Sequence, residues 1–377
     1  MNMGYFNRII IRLNKISPGL LAILLAACVP AAAQLSPAEP DPLARIRDAA
    51  KTNVQACSAT GENLCEQVAP KIIANAQGDS PLVENVRRLA QEIHNAKIDS
   101  PAETVTWALA AFRAAGLEPH TEENIAPVLG QEGATPVQEA VVAEFRGREK
   151  PEEWILLGAR LDPQSPDTVN MACNAALVVE AARDIQLASI RPRRSIRFVL
   201  FVGSDKYMLG SWAYVRAHRS ELDRARAAIF FLGGAHRMNG YTLSGRRDLE
   251  AGLREAMKPI ESWGVGNNAF GASIYTSDYD FLLEGIPTAI ANEGVRSARP
   301  IPIFSDALDR LDIQELKRNT AVAAVTVFGI AERAEPIGPR QSRGEIESLL
   351  KATGLDEEMK LAGLWPLWES GERGRVP

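Results

Sequence analysis

The chain has 377 residues, 46% hydrophobic, 24% charged and 6% aromatic, with only four His and four Cys. That composition excludes a disordered chain, a collagen or a coiled coil, and its apolar content suffices for a large core. A formal charge of −5 and a pI of about 5.6 argue against a nucleic-acid partner, which needs a basic face to release counterions from phosphates.

Residues 1–33 read as an export signal. Arg8, Arg12 and Lys15 form a positive start, Gly19–Ala27 an apolar stretch, and Ala31-Ala32-Ala33 a small-residue cleavage site. The apolar run is shorter than the roughly 20 residues that a spanning helix needs. Leu25-Ala26-Ala27-Cys28 also resembles the bacterial lipobox, which makes Cys28 a candidate for lipidation. A free secreted protein and an uncleaved anchor are the alternatives. All three place the remainder outside the cytoplasm, in the periplasm or cell envelope. Without the three leader cations, 39 basic residues face 47 acidic ones, a balance of −8. Such a body has no electrostatic attraction to an anionic bilayer, so membrane association would run through a lipid on Cys28.

Residues 34–42 (QLSPAEPDP) read as a tether, and 43–132 as a helical N-terminal region. Cys57 and Cys65 are expected to form a local disulfide in an oxidising compartment, with two buried thiols as the alternative. No other Cys or His lies nearby to complete a metal site. Leu82, Val83, Val86, Leu89, Ala90 and Ile93 repeat at three- and four-residue spacing, which predicts a helix with one buried face. A second helix is predicted over Ala102–Ala115, opened by Asp99-Ser100-Pro101 and stopped by Gly116. His120 is read as part of a loop.

From 133 to 334 strands alternate with helices. Strands are predicted at Gln138–Phe145, Trp154–Gly158, Ile196–Val202, Ala227–Leu232 and Pro287–Ala291. Helices are predicted at Ala175–Leu187, Leu209–His218 and Leu249–Met257, and Asp312-x-x-Glu315 opens a long one to about Ala334. The continuous apolar runs suit strands covered on both sides, so the fold class is α/β, a mostly parallel mixed sheet with helices on both faces. Residues 335–377 read as an extension with a short helix over Gly344–Leu355, and Trp365 and Trp368 docking on the body or on a partner.

Sites in such sheets lie at the carboxyl ends of the strands. Five blocks stand around these ends: residues 149–158 (EKPEEWILLG), 191–198 (RPRRSIRF), 209–214 (LGSWAY), 277–287 (SDYDFLLEGIP) and 306–312 (DALDRLD). In that order they resemble the EKPDEWVVLG, RPKRTIRF, LGSRAY, SDHYPFLEAGIP and DTLDKLD of the co-catalytic zinc aminopeptidases and plasma glutamate carboxypeptidases, metallopeptidase family twenty-eight of clan MH. The likeness runs over roughly residues 80–334 and implies a zinc-exopeptidase-like fold.

The resemblance also implies where chemistry would sit. Two zinc ions need His and carboxylate ligands, with a Glu as general base on a metal-bound water. Arg160 stands at the His of the family's GAHLD, and Cys173 at the bridging Asp. Ser204 stands at the general base and Asp205 at the neighbouring Glu ligand. Leu232 replaces the Asp of NLDM, and Pro302 the last His. Asp162 and Asp306 survive from the outer shell. Of the five ligand positions, only Cys173 and Asp205 keep a donor atom. The remaining metal ligands to consider, His94, His120, His218 and His236, lie on predicted helices or in loops, and only His236 follows a strand end. Arg160 is expected to pair with Asp205 or Asp162 where a metal would sit, or to point to solvent. Cys173 otherwise reads as a small buried hydrophobe.

The expectation is therefore an exported protein with a peptidase body that has lost catalysis. It needs no cofactor and binds a peptide or protein partner. The alternative is a working metallo-aminopeptidase or carboxypeptidase with displaced zinc ligands.

Overall fold

The computed structural model describes residues 64–95, 102–127, 137–162, 167–202, 208–292 and 308–376. The leader with Cys28, the tether and Cys57 lie outside these residues, and so does the Cys57–Cys65 pairing. All described residues belong to one compact unit, Ile46–Pro377.

Among the described residues three helices come first: α1 (Leu64–Gln77), α2 (Leu82–Asn95) and α3 (Ala102–Ala114). The spaced residues Leu82, Val86, Leu89, Ala90 and Ile93 of α2 are all buried, as the period-3.6 pattern requires. The chain then enters a seven-stranded sheet: β1 (His120–Ile125), β2 (Val137–Phe145), β3 (Lys150–Leu161), β4 (Arg194–Val202), β5 (Ala225–Phe230), β6 (Gly240–Thr242) and β7 (Thr288–Asn292). The spatial order is β1-β2-β4-β3-β5-β7-β6. β4, β3, β5 and β7 run parallel, while β2 lies antiparallel to β1 and β4, and β6 antiparallel to β7.

Alternate residues of each central strand serve opposite faces. Trp154, Leu156, Val199, Phe201, Ala228 and Phe230 share one cluster with Tyr214 and Val215 of α5 (Leu209–Ala217) and Phe281 of α7 (Tyr279–Leu283). On the other face Phe198 meets Phe112 of α3, ring centroids 6.5 Å apart. That face is covered by α4 (Thr168–Ala188) and α8 (Ile313–Glu332), with α1 and α2 packed outside them. The Asp312 carboxylate caps α8 by accepting from the backbone of Gln314 and Glu315. The short α6 (Glu250–Ala256) packs against α8.

The C-terminal extension folds back onto the body as α9 (Arg343–Thr353), α10 (Leu355–Leu361) and α11 (Trp365–Glu369). Ser342 and Glu345 form a reciprocal capping box at α9, and Gly354 ends it at φ 75°. Trp368 is 1% exposed and packs with Tyr279, Leu282 and Leu283 of α7. Docking on the body is thus the outcome for this tryptophan. Beyond it Arg373 (1% exposed) reaches Asp280 at 2.8 and 3.2 Å.

Three sequence expectations need correction. His120 opens an edge strand rather than lying in a loop, so the region up to 132 is not wholly helical. The β1 sequence HTEENI has no apolar alternation to announce a strand; only Asn124 is buried, and pairing with β2 supplies the order. α4 starts at Thr168 rather than Ala175, so Cys173 and Asn174 lie inside a helix. The three-residue β6 is too short to leave a periodic signal.

Candidate functional site

The parallel strands β3 and β5 deliver their carboxyl ends to the same rim of the sheet, because they pair directly along Ile155–Gly158. β3 delivers Arg160 and, just past its end, Asp162. The Arg160 guanidinium lies 3.8 Å from the Asp162 carboxylate. The Asp162 side chain is 3% exposed and that of Arg160 is 20% exposed. Of the two partners expected for Arg160, Asp162 is in reach; Asp205 lies outside the described residues.

Cys173 sits in the second turn of α4 and is buried. Burial, and then the charge of Asp167, push its thiol up to about 12, so at neutral pH it is an uncharged S–H. Leu232, two residues past β5, packs its hydrocarbon against the Trp154–Phe230 cluster. Ser204, Asp205, Pro302 and Asp306 lie outside the described residues.

Three asparagines that sequence reasoning passed over shape the loop after β5. Asn170 of α4 donates to the Leu232 carbonyl at 3.0 Å, and Asn174 accepts from the Gly234 N–H at 2.8 Å. Asn319 of α8 donates to the His236 carbonyl at 2.6 Å and accepts from the Met238 N–H at 3.3 Å. Gly234 has φ +67°, and a Cβ there would sit 1.9 Å from the Asn170 amide oxygen. Only glycine meets both conditions. Asn174 was findable, since it directly follows Cys173, where the resemblance implies the bridging Asp; Asn170 and Asn319 carry no local signal, because what they bind is distant in sequence.

The histidines do not gather at the rim. His120 of β1 and His218 after α5 meet on Glu122 at the far edge of the sheet, His94 lies in the last turn of α2, and His236 is exposed in the loop after β5. Among the described residues no group of three or more His, Cys, Asp or Glu side chains could hold a metal ion. The donor chemistry explains this. At the three described positions where the resemblance implies ligands stand a fixed cation, a neutral buried thiol and a hydrocarbon, and this set does not fit a pair of zinc ions.

The family model of Peptidase family M28 matches residues 140–327. Carboxypeptidase Q of Rattus norvegicus is 23% identical over 201 residues, which are 52% of this chain and 42% of that protein. The match thus spans less than half of that relative's length. Among solved structures, a peptidase M28 precursor from Shewanella amazonensis SB2B superposes with a TM-score of 0.61 at 16% identity, covering 73% of this chain and 98% of that one. The LapA aminopeptidase of Legionella pneumophila gives 0.53 at 16% identity, covering 70% and 75%. At these identities the structural likeness is one of fold.

Proposed function

Because this chain belongs to peptidase family M28, we propose that it is an exported, non-catalytic member that uses the peptidase body to bind a peptide or protein. The observation that supports this reading is the Arg160–Asp162 ion pair at the end of β3. A guanidinium cannot give up its proton to become a ligand, and it repels a divalent ion. With an uncharged Cys173 and the hydrocarbon of Leu232, the described rim residues at these positions offer no anionic donor of the kind that two zinc ions require. The same ion pair sets a cation 3.8 Å from a carboxylate that a metal would otherwise neutralise. The proposed binding is therefore cofactor-free. Export and attachment through a lipid on Cys28 complete the reading; no described helix is long and apolar enough to cross a membrane.

The deciding experiment is metal analysis of the purified mature protein together with release of amino acids from short peptides. The expected result is far less than one zinc per chain and no chelator-sensitive cleavage. Two zinc ions per chain with chelator-sensitive cleavage would overturn the proposal in favour of a working metallopeptidase with displaced ligands.

A further inference from the structure

Away from the rim, the imidazole of His218 lies between two carboxylates from different elements. Its Nε2 is 2.7 Å from Glu122 Oε2 on β1, and its Nδ1 bonds Glu221 Oε1 in the turn after α5. The surrounding charges come from every packed element. His120 of β1 bonds the other Glu122 oxygen at 3.1 Å. Arg197 of β4 holds Glu221 at 3.0 and 3.2 Å and reaches Glu144 of β2 at 3.1 Å. The Tyr214 ring of α5 lies 4.1 Å from the His218 ring.

A neutral imidazole has one N–H and can donate to one carboxylate; only the imidazolium donates to both. β1 is an edge strand, paired along one side to β2, and Glu122 ties it across to the end of α5. We infer that His218 is a pH-responsive clamp on this edge strand: charged, it bridges Glu122 to Glu221, and neutral, it releases one of them.

The electrostatics agree with the geometry. Burial by itself lowers the His218 value, but the bonds and charges of Glu122 and Glu221 outweigh it and hold the imidazole above its ordinary 6.5. Both carboxylates are in turn held below their usual range against the cost of their burial. The folded value is the raised one, so the clamp is complete below the ordinary 6.5 and is lost as the pH rises through the raised folded value.

The test uses the full chain with ¹⁵N-labelled histidine. Below pH 6.5 both His218 ring nitrogens should carry protons, with a midpoint above 6.5. Amide exchange of residues 120–125, corrected for its intrinsic pH dependence, should speed up roughly tenfold across that midpoint, the scale of one charge-assisted hydrogen bond. Glu122→Gln should lower the midpoint and abolish the step. A single neutral tautomer at pH 6.5, or equal protection of β1 on both sides of the titration, overturns the clamp. The wild-type measurements decide the matter even where the variant fails to fold.

Discussion

At Asp184, in the buried side of α4, a carboxylate has been placed where water does not reach. Burial, and then the neighbouring charge of Glu180, push it up to about 9, although Arg183 and Lys317 pull the other way. Neither carboxylate oxygen of Asp184 has a hydrogen-bond partner among the described residues. A raised folded value means that stability is fully present below the ordinary carboxylate range and is lost as the pH climbs from there toward 9. Asp184→Asn should therefore stabilise the protein at pH 7 by about 1–3 kcal/mol, and by almost nothing at pH 3.5. Urea unfolding of both proteins at the two pH values checks this; an equal effect at both would remove the titration from the account. Arg160 presents the opposite case, a charge whose sign was legible from sequence but whose partner was not. The 3.8 Å approach to Asp162 came only with the coordinates, since two acids were in contention.

Among the elements, the C-terminal helices test how much the extension belongs to the body. Trp368 fills the cluster with α7, and the Arg343 guanidinium stacks over it at 4.0 Å. Trp368→Ala should cost about 3–5 kcal/mol, the usual loss for a buried large aromatic. Arg373 lies 4.6 Å above the Trp212 ring while it pairs with Asp280, which also accepts from Ser211 at 2.8 Å. Arg373→Met should cost on the order of 3–5 kcal/mol, because it leaves a buried carboxylate without its cation. Denaturant midpoints at constant slope would check both; losses under about 1 kcal/mol would show that the extension rests on the body without supporting it. Helices and core strands were legible here because each carries its own period, and the capping pattern at Asp312 marked the start of α8. β1 was not, because an edge strand is held by backbone bonds to a neighbour and leaves little trace in its side chains.

For the whole molecule, the proposal couples folding to no metal. Chelation should leave the melting temperature unchanged, since no metal-binding energy would be linked to the folded state. A drop of several degrees on adding EDTA to the purified protein, reversed by zinc, would contradict this. Cys28→Ser should move the protein from the membrane to the soluble fraction when cells are fractionated. An unchanged distribution would rule out the lipid anchor.

The order of the core strands and helices, the class of sheet and the family blocks at 149–158, 191–198 and 277–287 follow from the chain alone, because apolar periodicity and local motifs are properties of neighbours in sequence. So does the expectation that Arg160 and Leu232 stand where the family has a His and an Asp ligand, which is a matter of residue identity. Tertiary structure decided the rest: which acid meets Arg160, how Asn170, Asn174 and Asn319 hold the loop after β5, and that His218 joins Glu122 to Glu221. Those contacts join residues up to 96 positions apart, such as Glu122 and His218. Only the folding of the sheet brings such groups within reach of a hydrogen bond, and no local pattern encodes that distance.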